Sequence, residues 1–346
     1  MKKVIIGISG GVDSAVAAAL LKKQGYDVIG ITFIFTDNFD TTDAINICKK
    51  LEIKHVIEDY KDVFKTNVID KFINSYNKGI TPNPCILCNR EVKINFLYQN
   101  MIKYNCDYMA TGHYAKISNG KLYKSQDLNK DQTYFLSQLS KEKLNHLILP
   151  LESVNKEEVR KIAKDLGFEN FEKKDSQDVC FITGSFDDFI NKNANIKEGS
   201  IINIKGNKII GKHNGLQKYT IGQRKGLNIG GYQKRLFVVG KDIINNNLYV
   251  AEGDDNEYLY SDSCLLENIN WLSDKKMDKC KAKFRYRQNE NEVYIEFLDD
   301  NVIVKYPQKI KAITPGQACV FYNNDECLGS GIIKEVYKDN SKIWYL

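Results

Sequence analysis

The sequence predicts an α/β fold: an N-terminal doubly wound parallel sheet, followed by a small β-rich domain and a C-terminal β-barrel. Three observations carry this expectation. The opening run Val4-Ile5-Ile6-Gly7-Ile8 reads as a buried strand and passes through Ser9-Gly10-Gly11-Val12-Asp13-Ser14 into the helix-like run Ala15–Leu21. Strand and helix signals alternate over roughly the first 110 residues, as the crossovers of a parallel sheet require. From about Asn195 glycines become frequent, segments shorten, and β-branched residues alternate with polar ones.

Strands are expected at Val4–Ile8, Val28–Phe35, His55–Ile57 and Tyr108–Thr111. Helices are expected at Ala15–Gln24, Thr42–Leu51, Val63–Tyr76 and Glu91–Tyr104. In the last of these, Val92, Phe96, Leu97 and Met101 recur near helical spacing and form a core face. Two further helices follow, Lys141–Asn145 and Lys156–Leu166. Asn155 is placed to cap the second, with Glu157 and Glu158 in its first turn. Later segments read as antiparallel strands: Leu248–Ala251, Lys281–Arg287, Val293–Phe297, Val302–Tyr306, Ala318–Tyr322 and Gly331–Tyr337. The expected domains are 1–195, 196–255 and 256–346.

Composition bounds the function class. At 42% hydrophobic and 27% charged residues the chain has the make-up of a soluble globular protein. No apolar run approaches the ~20 residues of a membrane span. Met1-Lys2-Lys3 before an apolar run faintly resembles a signal peptide, but glycines and Asp13 interrupt it and no small-residue cleavage site follows. The expected location is the cytoplasm. Nine cysteines, mostly isolated, fit buried thiols plus a few chemical ones rather than a secreted disulfide scaffold. The net charge of +6 is unevenly spread. From Lys205 to Lys241 nine basic residues occur without one carboxylate, interleaved with His213, Tyr219, Tyr232 and Phe237. Such a stretch points to a polyanionic partner, and nucleic acid is the reading that follows.

Strand, glycine turn and helix N-terminus together form a phosphate cradle, because backbone N–H groups and the helix dipole favour an anion there. No Gly-Lys-Ser/Thr follows, so this is not a Walker A loop. It resembles the PP-loop of the ATP pyrophosphatase superfamily, whose members hold ATP by its pyrophosphate and transfer AMP to a carbonyl oxygen. A second chemical segment is Thr81-Pro82-Asn83-Pro84-Cys85-Ile86-Leu87-Cys88-Asn89-Arg90. Its two prolines are expected to hold it out of helix. Cys88 would then precede a helix starting near Arg90, a location that lowers a thiol pKa. Half a zinc site ranks lower, since no second Cys-x-x-Cys exists. Cys180, in Asp178-Val179-Cys180-Phe181-Ile182, reads on its own as a buried thiol.

Eight segments in order resemble the tRNA-specific 2-thiouridylase family. They are Gly7–Ser14, Asn83–Asn89, Ala110-Thr111-Gly112-His113-Tyr114-Ala115, Lys130–Leu136, Lys174-Asp175-Ser176 ahead of Cys180, Tyr219–Leu227, Phe284–Gln288 and Thr314-Pro315-Gly316-Gln317. The resemblance implies a reaction. ATP adenylates the C2 oxygen of the wobble uridine, and sulfur from a cysteine persulfide displaces AMP to give 2-thiouridine. It implies Cys88 and Cys180 as catalytic residues, with Cys180 carrying the persulfide. Cys88 either releases sulfide or attacks directly, leaving a transient Cys88–Cys180 disulfide. It implies an ATP site of Gly7, Ile8, Ser9, Gly10, Gly11, Val12, Asp13, Ser14, Phe33 and Gly112, with Mg²⁺ placed by Asp13. It implies tRNA contacts at Asn83, Pro84, Cys85, His113, Lys130, Asp131, Gln132, Arg285, Tyr286 and Gln317. The persulfide would come from a cysteine desulfurase or a sulfur-relay protein.

Two departures from the family pattern stand out: Phe33 where relatives usually have Met, and Cys85 where most have Asp. With Cys85, Cys88 and Cys180 as a three-thiolate set, a [4Fe–4S] cluster is a second, lower-ranked reading. Two functions of a different kind compete with thiolation: a PP-loop synthetase that adenylates a small molecule, and a non-catalytic RNA-binding protein. The acid-free stretch argues against the synthetase, and the intact loop and cysteines argue against the non-catalytic protein.

Overall fold

The computed structural model describes residues 1–168 and 179–346. The motif Lys174-Asp175-Ser176 therefore lies outside the described residues. The N-terminal sheet contains β1 (Lys3–Gly7), β2 (Asp27–Ile34), β3 (Lys54–Asp59) and β4 (Tyr108–Ala110). Two short strands, β5 (Lys116–Ser118) and β6 (Lys121–Tyr123), leave this sheet, and β7 (Leu147–Ile148) returns to it. The order is β3-β2-β1-β4-β7, all parallel. Strand order reverses between β1 and β4, which opens a crevice at their carboxyl ends. Val4, Ile5 and Ile6 are fully buried on both faces of the sheet. That burial explains why β1 reads as a continuous apolar run rather than an alternating one.

The middle domain is a four-stranded sheet of β8 (Glu198–Asn203), β9 (Lys208–Asn214), β10 (Leu236–Asp242) and β11 (Asn247–Glu252), in the order β10-β11-β8-β9. The C-terminal part is a closed six-stranded barrel. Its strands are β12 (Tyr260–Trp271), β13 (Lys279–Lys283), β14 (Asn291–Phe297), β15 (Val302–Lys311), β16 (Ala318–Asn323) and β17 (Glu326–Lys338). The long β12 pairs with both β15 and β17, and this closes the ring. The closure removes the free edges that an open sheet would expose. β6 pairs antiparallel with β17, so the N-terminal part of the chain adds two strands to the barrel's own sheet. No local pattern signals that pairing in the sequence.

At three places the local structure bears on the sequence expectations. Asn155 caps its helix in a full capping box: its side chain accepts from Glu158 N at 2.9 Å while Glu158 accepts from Asn155 N at 2.9 Å. The expected Val63–Tyr76 helix is longer, with a π-helical segment at Lys65–Ile69 between Lys61–Phe64 and Asp70–Asn77. Around the cysteines the correction is larger. Pro84–Cys88 is helical, followed by a π-helical stretch Asn89–Lys93 and the helix Ile94–Lys103. Proline does not exclude helix here because Pro84 occupies the first helical position, where its missing N–H costs nothing and Asn83 provides the cap. No helix among the described residues is long and apolar enough to cross a membrane.

Candidate active site

The phosphate-type loop takes its shape from its own residues. Gly10 has φ +80°, a conformation that disfavours any side chain with a Cβ. Ser9 Oγ accepts from Gly11 N at 3.3 Å, and Ser14 Oγ donates to Gly11 O at 2.9 Å while accepting from Ser9 N at 3.3 Å. Gly11 then caps the Val12–Lys23 helix with no side-chain acceptor, leaving the Val12, Asp13 and Ser14 N–H groups without intrahelical partners. A Cβ on Gly7 would meet no atom within 4 Å, so the end of β1 faces open space. A Cβ on Gly112 would lie 2.8 Å from both Asp13 C and Ser14 N, so β4's exit turn packs directly on the cradle backbone.

Asp13 is held by Tyr114, from the Ala110–Ala115 segment, and by Lys156, which no sequence motif singles out. Its carboxylate accepts from Lys156 Nζ at 2.7 and 2.9 Å and from Tyr114 Oη at 2.6 Å. Lys156 is 143 positions away, so no local pattern could have announced it. Phe33 is buried in an aromatic cluster with Phe35 and Tyr60, centroids 5.8 and 5.5 Å away. It belongs to the core of the sheet, in contrast to the loop residues that present polar groups.

The cysteine helix sits close to Cys180. Cys88 is buried and Cys85 and Cys180 are exposed. Phe181 anchors the segment that carries Cys180, packing edge-on against Phe64 and Phe72 at 5.7 and 5.4 Å. The expected lowering of the Cys88 pKa is overturned. Burial pushes the thiol up to about 11, Lys93 pulls it partly back, and the neighbouring Cys180 and Cys85 raise it further. The helix N-terminus expected to lower it lies a turn earlier, at Asn83. Cys85 is also raised, first by desolvation of its sulfur and then by Cys180, with Lys93 opposing. Among the described residues no group of three or more Cys, His, Asp or Glu is arranged to hold a metal ion. The [4Fe–4S] reading finds no support in this arrangement.

Several expected tRNA contacts are occupied within the protein. Asn83 Oδ1 accepts from Ile86 N at 3.3 Å, and Pro84 is buried. Asp131 is buried, accepting from Thr133 Oγ1 at 2.6 Å and Ser125 N at 3.2 Å, and burial raises its pKa. Its carboxylate organises the turn rather than facing solvent. Gln132 Oε1 accepts from Tyr114 N at 2.9 Å, and Lys130 is half-buried beside it. His113 Nδ1 lies 2.8 Å from Thr111 Oγ1. Burial, and then Lys93, pushes its pKa down to about 3, so the ring is neutral at neutral pH. Tyr286 is half-buried with its centroid 4.3 Å from Phe135.

Arg285 and Gln317 form a brace. Arg285 Nη2 donates to Ile221 O at 2.8 Å, Ala312 O at 3.0 Å and Thr314 Oγ1 at 2.5 Å, tying the middle domain to the barrel. Gln317 Nε2 donates to Thr81 O at 2.8 Å, and Thr81 N donates to Pro315 O at 3.2 Å. Gly316, at φ +89°, lets this loop approach: a Cβ there would lie 2.2 Å from Ile80 Cγ2. Thr81 leads directly into the cysteine helix, and its hydroxyl is buried without a partner. The middle domain adds Lys241 Nζ, which donates to Gly79 O at 3.2 Å.

The acid-free stretch divides on folding. Lys205, Lys208, Lys212, Arg224, Lys225, Lys234 and Arg235 are exposed, whereas Lys241 is buried and Lys218 half-buried. Carboxylates from outside the stretch also approach it: Lys212 pairs with Glu198 at 3.7 Å and Lys234 with Asp255 at 3.4 Å. Tyr219, Phe237 and His213 are buried, so of the interleaved rings only Tyr232 keeps partial exposure. An open cavity of about 280 Å³ is bordered by Lys212, Tyr219 and the Gly226–Gly230 loop.

Comparison with known proteins adds the family. Residues 2–184 match the family model described as tRNA methyl transferase HUP domain, 187–252 its PRC-barrel domain, and 261–333 an aminomethyltransferase beta-barrel domain. The chain is 43% identical over 366 aligned positions to the tRNA-specific 2-thiouridylase of Bacillus cereus, covering 99% of this chain and 98% of that protein. It is 42% identical to the enzyme of the same name from Geobacillus thermodenitrificans, with the same coverage. A solved 4-thiouridine synthetase–RNA complex with bound ATP is 20% identical with a TM-score of 0.39, over 56% of this chain and 46% of that one. With the nucleotide-type loop, the paired cysteines and full-length identity above 40% together, the chain belongs to the tRNA-specific 2-thiouridylase family.

Proposed function

We propose that this protein is a tRNA uridine 2-sulfurtransferase that activates C2 of the wobble uridine with ATP and replaces its oxygen by sulfur. The observation that carries this reading is identity of 43% across 99% of the chain with a tRNA-specific 2-thiouridylase. The C2 carbonyl of uracil is urea-like, and its oxygen is a poor leaving group. Attack of that oxygen on the α-phosphorus of ATP releases pyrophosphate and makes the oxygen part of AMP. Sulfur then adds at C2 and AMP leaves.

The residues divide along these steps. Ser9–Ser14 presents N–H donors and two hydroxyls to the pyrophosphate, and Gly112 keeps the turn in place. Mg²⁺ accompanies the triphosphate, and the Asp13 carboxylate with the serine hydroxyls is a hard-oxygen set suited to it. Lys156 and Tyr114 hold that carboxylate in place. Cys180, exposed, is the entry point for a persulfide from a cysteine desulfurase or relay protein, and Cys88 is its partner thiol. Transient disulfide chemistry of this type suits a cytoplasmic enzyme. The exposed bases of the middle domain, Arg224 and Lys225 among them, supply tRNA phosphate contacts.

The test is a split between half-reactions, with AMP release and nucleoside mass spectrometry read in parallel. Cys180→Ser should lose 2-thiouridine while still releasing AMP, since activation precedes sulfur attack. Asp13→Ala should lose both. Normal 2-thiouridine from Cys180→Ser would remove Cys180 from the mechanism.

A further inference from the structure

The cysteine helix is gripped at its exit as well as at its entry. Its backbone passes from Cys88, at φ −60° and ψ −45°, straight into the π-helical stretch Asn89–Lys93, so the residues after Cys88 move with it. Asn89 is buried, and its Nδ2 donates to Phe135 O at 3.1 Å. Arg90 Nη1 donates to Gln138 Oε1 at 2.9 Å, while its Nε donates to Glu91 Oε1 at 2.8 Å. Gln138 passes this contact on to the barrel. It is 4% exposed, and each polar atom of its amide has a partner. Oε1 accepts from Arg90, and the two hydrogens on Nε2 are shared among Ser330 Oγ at 3.0 Å, Ser330 O at 3.1 Å and Asn268 O at 3.1 Å. Ser330 and Asn268 belong to β17 and β12, paired strands of the ring. The same strands fasten the residues on either side of Gln138. Asn270 Nδ2 donates to Ser137 O and Leu139 O, each at 2.9 Å, and Ser137 Oγ donates to Ser330 Oγ at 2.8 Å.

We propose that Gln138 is a positioning residue for sulfur transfer: through Arg90 it fixes the exit of the cysteine helix to the barrel, and so sets where the Cys88 sulfur stands when C2 of the activated uridine is attacked. The inference rests on the thiolation reading above. A buried polar network with its members satisfied holds one geometry, where an apolar contact of the same size would tolerate several. The relay belongs to the second half-reaction. The bonds that shape the nucleotide loop, among Ser9, Gly11 and Ser14 and from Asp13 to Lys156 and Tyr114, involve neither Gln138 nor Arg90. Because Arg90 and Gln138 act in series, cutting the relay at either residue removes the same effect, and cutting it twice removes no more.

The test uses full-length protein in excess over a tRNA transcript, with ATP and a cysteine desulfurase with cysteine as sulfur source. Pyrophosphate release reports adenylation and nucleoside mass spectrometry reports 2-thiouridine, both over the first turnover. Gln138→Met and Arg90→Met each keep an unbranched side chain and remove the bond between the two residues. Each is expected to slow 2-thiouridine formation about fivefold, the rate equivalent of one lost hydrogen bond. Pyrophosphate release and tRNA affinity should stay within about twofold of wild type, and the double variant should be no slower than the slower single variant. A role confined to holding the fold would lower both half-reactions together, and that result would overturn the proposal. So would independent, multiplying losses in the double variant. Arg90 is partly exposed, so Arg90→Met decides the matter if Gln138→Met does not fold: a wild-type rate of 2-thiouridine formation there would overturn the proposal as well. Absence of 2-thiouridine from the wild-type reaction would instead overturn the thiolation reading, and this inference with it.

Discussion

The proposed nucleotide loop and the cysteine helix are positioned by different means. Ser9, Gly11 and Ser14 fix the loop through bonds spanning no more than five residues, and strand β1 delivers it rigidly to the sheet crevice. The cysteine helix has a local cap at Asn83, but its entry segment is held from afar: by Gln317 from the barrel, 236 positions away, and by Lys241 from the middle domain. The difference has a functional reading. A phosphate cradle can be complete before tRNA arrives. A sulfur site that must meet one base of a large RNA is instead tied to the domains proposed to bind that RNA, so their placement is felt at the chemistry.

The largest effect that would sharpen this contrast is expected at Gly112. A methyl group there collides with the backbone of Asp13 and Ser14 at 2.8 Å, and backbone cannot rotate away as a side chain can. Gly112→Ala should therefore distort the cradle at a cost of roughly 1–3 kcal/mol, read as an ATP KM raised about tenfold or more. Isothermal titration with a non-hydrolysable ATP analogue measures it directly. Unchanged affinity would mean that the turn after β4 moves freely and that the cradle is not rigid.

A smaller effect is expected at Gln317, and its form matters more than its size. The family resemblance assigns this residue to tRNA contact, whereas its amide here is bonded to Thr81 O. Loss of one such hydrogen bond is worth about 1 kcal/mol, or about fivefold in rate. If Gln317 acts by positioning the cysteine helix, Gln317→Ala lowers kcat for thiolation by that factor, and KM for tRNA moves by less than about twofold. A raised KM with normal kcat would assign the residue to tRNA instead, and the brace would lose its role.

The sequence is most legible where function is local. The strand–loop–helix at Val4–Leu21, the capping box at Asn155 and the core face of Val92, Phe96, Leu97 and Met101 can all be read from spacing alone. The cysteine helix is misread because Pro84 looks like a breaker, when a proline at the first helical position with Asn83 before it is a start signal. That error displaces Cys88 from interior to terminus and reverses the direction of its pKa. Asp131 and Arg285 mislead for another reason. A charged residue in a loop or strand-end motif looks exposed until tertiary contacts turn it inward, and nothing in the chain announces Thr314 or Ala312 as an acceptor for Arg285. The β6–β17 pairing and the Lys156–Asp13 ion pair are equally silent, since each joins segments that share no local pattern.

The smallest effect on activity is expected at Lys241, the middle domain's link to the cysteine helix, where stability is the informative readout. Its ammonium is buried with Gly79 O as the hydrogen-bond acceptor, and burial alone pushes its pKa down from 10.5 to about 7. In the unfolded chain the group titrates near 10.4. Between these values the unfolded state binds more protons, so stability rises with pH across the window, by at most about 1.4 kcal/mol per unit. Below pH 7 both states are protonated and this contribution to the slope vanishes, leaving the full cost of the buried charge. Lys241→Met keeps the length and apolar character of the side chain and removes the titration. Urea unfolding at pH 6.5, 8 and 9.5 should show the wild type gaining stability over this range relative to the variant, with the variant the more stable at pH 6.5. Parallel curves for the two proteins would mean that Lys241 keeps its charge at the interface. The middle domain would then hold Gly79 by an ion–carbonyl contact that does not respond to pH.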